Sequence, residues 1–468
     1  MKIIIKMTMV VLLAIQTFAQ QDISGIWSGK LELPNSAALT IVFNLSIDST
    51  GKYISTLDSP DQGATGIPAE STEIKEDSIF INFPVIRGNY KGKIIFDEQI
   101  IKGKWSQGGM SLDLLVKKTD KIELPERPQE PKEPFPYNSK DVLFENDKDN
   151  VVLAGTLTFP KDGKNLTAVI LISGSGGQDC NEEIFNHKPF LVIADYLTRY
   201  GIAVLRFDDR GIAESTGDHS TATTEDFARD VLAGVQYLKE RNEIDKTRIG
   251  LIGHSEGGII APLAAIQSDD IAFIIMMAGT GIPGDSILYL QGELIQRAEG
   301  LSENEIEKSL KTQKEIFSII KNSDDESLDK KLKDKFLADY QIMTDEEKNK
   351  LGDPETYINM QIKALTSPWF KYFLKFDPSA VLQKVKCPVL AINGENDLQV
   401  PAKENLSAIK TALEKGGNKN FDAIELKGLN HLFQTSESGR VSEYGQIEET
   451  ISPLALQTML DWIKRVIK

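Results

Sequence analysis

The feature that most constrains the fold is an apolar run at residues 249–252, followed at once by Gly253-His254-Ser255-Glu256-Gly257 and a second apolar run from Ile259. The first run is typical of a buried strand, and the second of the start of a buried helix. A strand that passes into a helix so quickly needs a sharp turn, and the glycines on either side of Ser255 let the two elements approach. The segment therefore predicts a strained strand-to-helix turn with a serine at its tip.

The rest of residues 141–468 supports a sheet around this turn. Apolar runs alternate with amphipathic stretches, and near-continuous apolar strands between helices indicate a parallel sheet covered on both faces. The other strands predicted lie at residues 168–172, 203–207, 271–277, 388–392 and 421–426.

One helical segment interrupts this alternation. In residues 301–350, 23 of the 50 residues are charged, yet Leu328, Leu332 and Phe336 recur at helical spacing. Because the segment falls between two predicted strands, we expect a helical cap, at about residues 284–376, over the ligand-binding edge of the sheet.

Residues 20–121 follow a different pattern, in which apolar and polar residues alternate between clusters of turn residues. This predicts seven or eight antiparallel strands in a small all-β barrel or sandwich. Its Gly25-Ile26-Trp27 opening resembles that of small lipocalin-like barrels. We expect Trp27 and Trp105 to lie in its core.

The chain begins with an expected targeting segment. Lys2 and Lys6 precede a short apolar run, and small residues follow at Thr17 and Ala19, so residues 1–19 are predicted to be a cleaved signal peptide. The run is shorter than a bilayer-spanning helix, and no cysteine follows it to carry a lipid. We therefore expect a secreted or periplasmic protein without a membrane span.

Two further features bear on domain organisation and redox state. Residues 122–140 contain five prolines among Glu and Lys, which predicts a semi-rigid linker between the β-rich unit and residues 141–468. Cys180 and Cys387 are far apart in the chain, and we expect two free thiols.

Composition excludes several function classes. The chain is 41% hydrophobic and 26% charged, as in globular proteins, and its net charge of −16 argues against nucleic acid as a partner. Two cysteines are too few for a multi-cysteine zinc site, and we expect neither a metal nor an organic cofactor.

A serine nucleophile needs a base, and the chain has only four histidines. His187, His219 and His254 precede Ser255, whereas His431 follows a late predicted strand. In strand–turn–serine folds of this kind the order is serine, acid, histidine, so His431 is the predicted base.

The acid is expected at the end of the preceding strand. The strand at 388–392 leads into a loop with two carboxylates, Glu395 and Asp397. Asp397 is the predicted partner of His431, which it would orient and stabilise when charged. Glu395 is the alternative.

Acyl transfer also needs donors for the oxyanion. One predicted donor is the backbone N–H of Glu256, directly after the serine. The other is expected in the Gly-rich loop at residues 173–179, where Ser175 is the first choice and Gly176 the second. That loop matches neither common phosphate-binding motif, which argues against a phosphate site.

Together these motifs resemble the α/β-hydrolase superfamily, and within it the bacterial esterase and serine-aminopeptidase-like branch. The resemblance covers residues 141–468 and rests on five segments. They are Gly174-Ser175-Gly176-Gly177-Gln178-Asp179, Arg206-Phe207-Asp208-Asp209-Arg210-Gly211 with Ser215-Thr216-Gly217, the Ser255 pentapeptide, Ser367-Pro368-Trp369-Phe370 and Gly394-Glu395-Asn396-Asp397.

The resemblance implies a doubly wound, mostly parallel sheet with Ser255, Asp397 and His431 as catalytic triad. It also implies that the 208–211 segment is a structural turn. Cys180 departs from the pattern, since a charged residue is expected there, and this puts the substrate contacts of its loop in doubt.

The expected function is that of an exported carboxylesterase acting on small-molecule esters with short acyl chains. Two alternatives stay open. The chain is a serine aminopeptidase of the same fold, or it is a binding protein whose N-terminal unit takes glycan or lipid and whose hydrolase site is vestigial. The oligomeric state is not predicted.

Overall fold

The fold is taken from a computed structural model that describes residues 22–32, 38–62, 64–107, 110–122, 125–345, 348, 351 and 353–468. The predicted signal peptide lies outside the described residues. The chain divides into two compact units. The first ends at Ile122 and omits residues 59–64, which group with the second unit, formed by the chain from residue 123 onwards.

The first nine strands form a single antiparallel sheet in the order β4-β3-β2-β1-β9-β8-β7-β6-β5. They are β1 Gly25–Glu32, β2 Ala38–Ile47, β3 Tyr53–Ser59, β4 Ala64–Pro68, β5 Ser71–Lys75, β6 Ser78–Phe83, β7 Gly88–Ile95, β8 Ile100–Gln107 and β9 Met110–Thr119. The predicted all-β fold is confirmed. The number of strands exceeds the prediction because β4 and β5 are short and polar and show little alternation.

Alternation of side chains explains how this sheet builds its core. In β6, Ile79, Ile81 and Phe83 are buried while Phe80 between them is partly exposed. Trp27 and Trp105 are buried as predicted. The hydroxyl of the buried Tyr90 lies 3.0 Å from each of two carbonyl oxygens, those of Ile101 in β8 and Leu114 in β9, and can donate to either.

The second unit is built on an eight-stranded sheet in the order β10-β11-β13-β12-β14-β15-β16-β17. Its strands are β10 Asn138–Asn146, β11 Val151–Phe159, β12 Leu166–Ile172, β13 Ala203–Phe207, β14 Ile244–His254, β15 Ile271–Met277, β16 Val389–Gly394 and β17 Phe421–Leu426. From β13 to β17 the neighbours pair in parallel, whereas β10 and β11 are antiparallel.

The second unit also contains helices, some of which cover both faces of the sheet with their apolar sides. They are α1 Pro189–Arg199, α2 Thr224–Lys239, α3 Gly257–Ala265, α4 Gly284–Ala298, α5 Glu303–Asn322, α6 Asp325–Ile342, α7 Pro354–Leu365, α8 Pro368–Lys375, α9 Pro378–Leu382, α10 Ala402–Lys415 and α11 Pro453–Val466. Every residue of β12 is buried, as expected for a strand with neighbours on both faces. The predicted doubly wound, mostly parallel fold is confirmed.

Helices α4 to α8 lie between β15 and β16 in the chain and form the cap. They share a separate apolar core that includes Phe317, Leu328, Leu332 and Phe336. The spacing of the last three residues was the basis for predicting an amphipathic helix here, and α6 carries all three.

The Pro-rich segment packs on the second unit. The Arg127 guanidinium donates to the carbonyl oxygens of Phe185, Asn186, Gly445 and Ile447. Four acceptors thus fix one side chain of the segment in place. Among the described residues, no helix has both the length and the apolar composition to cross a bilayer.

Candidate active site

Ser255 lies at the tip of the predicted turn, between the end of β14 and the start of α3. Its φ of +52° is in the left-handed region, which a serine rarely adopts, so the turn is strained. Its N–H donates to the carbonyl oxygen of Met277 on the neighbouring strand at 2.8 Å, which helps to hold this conformation.

The glycines around Ser255 are required by close backbone contacts. A Cβ added at Gly253 would lie 2.0 Å from the carbonyl oxygen of Gly257. One added at Gly257 would lie 2.1 Å from that of Ile172 in β12. Both distances are far below van der Waals contact, so the local packing admits no side chain at either position.

Asp397 and His431 meet at the same edge of the sheet. Asp397 follows β16, His431 follows β17, and the distance from Asp397 Oδ2 to His431 Nδ1 is 2.9 Å. The other carboxylate oxygen accepts the N–H groups of Gln399 and Val400, each at 2.8 Å. The two side chains are almost fully buried. A proton held on Nδ1 by the carboxylate leaves Nε2 as the basic nitrogen of the ring.

The alternative acid, Glu395, has a different partner. Its Oε2 accepts the N–H of Gly428 at 2.9 Å near the protein surface. This contact holds the loop before His431. The carboxylate that contacts the His431 imidazole is that of Asp397.

His254 links the His431 loop to the serine turn. Its Nε2 lies 3.0 Å from the backbone oxygen of His431, and the two ring centroids are 4.9 Å apart. Because His254 directly precedes Ser255, the His431 backbone lies against the serine turn.

The predicted oxyanion loop also lies against Ser255. A Cβ added at Gly174 would come within 3.2 Å of Ser255 Cβ, so glycine permits the close approach. Gly176 has φ +93°, a conformation that favours glycine. Within the described chain, no residue accepts a hydrogen bond from the N–H groups of Ser175, Gly176 or Glu256.

A buried glutamate that the sequence analysis did not identify joins these loops. Glu182 Oε1 accepts the N–H of Gly174 at 2.7 Å and lies 2.9 Å from His254 Nδ1. Its φ is +51°, and it is almost fully buried. The only signal in the sequence was a glutamate close after the Gly-rich loop, which by itself is typical of an exposed turn.

Two further buried carboxyl groups surround the turn. Glu256 Oε1 accepts the hydroxyl of Thr224 and the indole N–H of Trp369, both at 2.7 Å. Burial raises the pKa of the Glu256 carboxyl. Trp369 lies in the first turn of the last cap helix, so this contact connects the cap to the residue directly after Ser255.

The other carboxyl belongs to Asp209. It accepts the Ser173 hydroxyl at 2.7 Å and the Gln178 N–H at 2.9 Å, and burial raises its pKa to about 8. The neighbouring Asp208 accepts the N–H of Cys180 at 2.7 Å. Both aspartates hold the Gly-rich loop in place, which is a structural role.

Cys180 lies in that loop beside a buried cation. Its sulfur is 3.8 Å from the Arg206 guanidinium, and burial raises the pKa of the thiol to about 11. Cys180 and Cys387 are both free thiols. A thiol with so high a pKa is a poor nucleophile at neutral pH.

The cap contains a cavity of about 670 Å³. Its lining includes the apolar side chains of Leu288, Phe317, Phe336 and Phe370, together with Lys308 and other polar side chains. The volume suits a small organic ligand. Ser255 and its neighbours do not line it, so the cavity by itself does not define an acyl pocket. The described residues hold no cluster of three side chains suited to a metal ion.

Comparisons with known proteins bear on this site. The family model described as "Serine aminopeptidase, S33" matches residues 188–342, about a third of the chain, which includes the Ser255 turn. Esterase EstD of Thermotoga maritima is 28% identical over 305 residues, which cover 65% of this chain and 62% of that relative. The chain therefore matches less than two thirds of that relative's length.

Two more distant matches cover similar regions. An uncharacterized 31.7 kDa protein of Escherichia coli, from the traX-finO intergenic region, is 24% identical over 277 residues, 58% of this chain and 84% of that protein. The solved structure of a Pyrococcus furiosus esterase covers 74% of this chain and 100% of its own, with 16% identity and a TM-score of 0.44. The predicted resemblance to the esterase and serine-aminopeptidase branch is confirmed.

Proposed function

We propose that this chain, whose second unit has the α/β-hydrolase fold, is an exported serine hydrolase that cleaves carboxylic esters with short acyl chains. One observation carries the proposal. The Asp397–His431 pair is hydrogen-bonded at 2.9 Å, and His431 is held against the residue before Ser255. An acid–base pair beside a serine is the arrangement that hydrolysis through an acyl-enzyme requires.

In the proposed mechanism, His431 Nε2 takes the hydroxyl proton of Ser255 as the serine oxygen bonds to the carbonyl carbon of the ester. The N–H groups of Glu256 and Ser175, with Gly176 beside them, stabilise the negative oxygen that forms. The bond to the alcohol breaks, and the alcohol leaves with the proton from His431. A water then gives a proton to His431 and attacks the acyl carbon. The bond to the Ser255 oxygen breaks, the serine takes the proton back from His431, and the acid is released.

The buried carboxyl groups favour an ester over a peptide as the substrate. An aminopeptidase needs a carboxylate available to hold the free amine of its substrate. The two glutamates that contact the site loops, Glu182 and Glu256, are engaged by Gly174, His254, Thr224 and Trp369. The name of the Thermotoga maritima relative also favours an esterase. The description of the matching family model favours the second candidate, a serine aminopeptidase.

Hydrolysis of p-nitrophenyl acetate, butyrate and octanoate, compared with an aminoacyl p-nitroanilide, separates the two candidates. We expect ester turnover that falls with acyl chain length and is lost in Ser255→Ala, because the variant lacks the attacking oxygen. The Thr458→Ala variant, which alters a surface hydroxyl on α11, is the matched control and should keep full activity. Preference for the anilide would replace the esterase proposal with the peptidase. No turnover of either class would contradict both.

A further inference from the structure

His254 has two hydrogen-bond partners, and both of them are acceptors. Nε2 faces the carbonyl oxygen of His431 at 3.0 Å, and Nδ1 faces the Glu182 carboxylate at 2.9 Å. A carbonyl oxygen has no proton to donate, and neither has an ionised carboxylate. A neutral imidazole carries one N–H and satisfies only one of these partners. With Glu182 ionised, the contacts therefore require a proton on each ring nitrogen.

We propose that His254 is a buried imidazolium that, paired with Glu182, positions the oxyanion loop and the His431 loop on either side of Ser255. The inference rests on the proposed function, because the two loops carry the predicted oxyanion donor and base. Both residues are positioning residues, since neither reaches the reacting atoms through a contact of its own.

The surroundings of His254 favour its charged form. Glu182 faces it from the loop after β12, Asp397 from the loop after β16, and the His431 ring from the loop after β17. Burial alone would favour the neutral ring, but the Glu182 carboxylate, the His431 carbonyl and Asp397 together outweigh it, so the pKa of His254 is raised above its ordinary value. A buried ion pair with each hydrogen bond satisfied is the arrangement in which such a charge persists.

A second contact of Glu182 explains how the pair positions both loops. The same Oε1 atom that faces His254 also accepts the Gly174 N–H at 2.7 Å. Gly174 directly precedes Ser175, the predicted oxyanion donor. One carboxylate oxygen thus fixes the start of the oxyanion loop, and through the His254 ring it fixes the backbone of the base.

Proton positions on the ring test the proposal directly. The chain has four histidines, so nitrogen-15 NMR of histidine-labelled protein gives few signals, and His254→Gln assigns the relevant one. We expect both ring nitrogens of His254 to carry protons at neutral pH and in Ser255→Ala alike. A single protonated nitrogen, with the second proton on Glu182 instead, would overturn the charged pair. This readout does not depend on any enzymatic activity.

Glu182→Gln tests the positioning role. It keeps the size and one acceptor of the side chain, but it removes the negative charge that holds the second proton on His254. We expect kcat to fall by about 10-fold to 100-fold at pH 8, with KM little changed, as for a misplaced catalytic geometry. In the same nitrogen-15 spectra the variant should show only one protonated nitrogen on His254, because burial favours the neutral ring once the carboxylate is gone.

His187→Gln is the control, since it removes another buried imidazole that contacts Tyr444 and Thr450. It should leave both ring nitrogens of His254 protonated. An unchanged kcat in Glu182→Gln, or two protonated nitrogens on His254 in that variant, would overturn the positioning role while leaving the proposed esterase intact. If Ser255→Ala also kept activity, the proposed function itself would fail.

Discussion

Asp397→Asn is the substitution whose effect the geometry defines most completely. The amide keeps the shape of the carboxylate, and its oxygen can still accept the N–H groups of Gln399 and Val400, each at 2.8 Å. The contact of 2.9 Å to His431 Nδ1 is different, because an NH₂ group now faces an N–H group. The imidazole is expected to move its proton to Nε2 so that Nδ1 becomes the acceptor.

A proton on Nε2 blocks the nitrogen that the proposed mechanism assigns as the base for Ser255. In another serine hydrolase the same change of tautomer lowers kcat by ~10⁴, which corresponds to about 5 kcal/mol of transition-state stabilisation. We expect a loss of that order here. Stability should change far less, because two hydrogen bonds of the side chain are kept and the third is formed again with the amide as donor.

The assay is kcat for p-nitrophenyl acetate, with urea unfolding on the same samples to confirm that the variant folds. In the double variant with Ser255→Ala, the losses should not add, since neither residue acts without the other. A decrease in kcat of less than about tenfold, in a folded variant, would refute the assignment of Asp397 as the partner of the base.

Three further predictions concern the framework of the site. Gly257→Ala should lower the free energy of unfolding by at least about 3 kcal/mol, or prevent folding, because its Cβ would lie 2.1 Å from a carbonyl oxygen. Gly292→Ala in helix α4 is the matched control, since the atom nearest to its added Cβ is 3.7 Å away. It should be neutral or stabilising by up to about 1 kcal/mol. Equal urea midpoints for the two variants would contradict the packing argument. Trp369→Phe removes the N–H group from which Glu256 accepts a hydrogen bond. It should lower the free energy of unfolding by about 1 kcal/mol and reduce kcat. Unchanged values in both assays would show that this contact does not hold the cap. The pKa of Asp209 is about 8 in the folded protein and ordinary in the unfolded chain. As the pH rises, the unfolded chain therefore loses this proton first, and the free energy of unfolding falls between about pH 4 and pH 8. Asp209→Asn should therefore gain stability relative to wild type over that interval, by up to about 1 kcal/mol per pH unit, and a difference that stays constant with pH would refute the assignment.

Most strands of the second unit could be predicted from their apolar runs. Residues 203–207, 271–277 and 421–426 are strands with the predicted bounds, and the last of them is a partly exposed edge strand. Strand β10, at the other edge, was not predicted because its exposed polar residues give no apolar run. Strand β11 was not predicted either, although it is apolar and mostly buried.

The site shows the same division between local and distant information. The order of serine, acid and histidine along the chain led to Asp397 and His431, and the structure brings these two side chains into contact. Glu182 was not identified, because its partners, Gly174 and His254, come from the ends of two different strands. Only the packing of the sheet shows that they meet. The assignments of Ser175, Gly176 and Glu256 as oxyanion donors stay predictions.

The central claim is that Ser255 is a nucleophile activated by His431. Its most direct test is reaction of the protein with an activated phosphonate ester, followed by mass spectrometry of the peptides. We predict a single adduct, on Ser255, that forms slowly or not at all in Asp397→Asn and His431→Ala. An adduct on another residue, or none in a protein that still hydrolyses esters, would contradict the account.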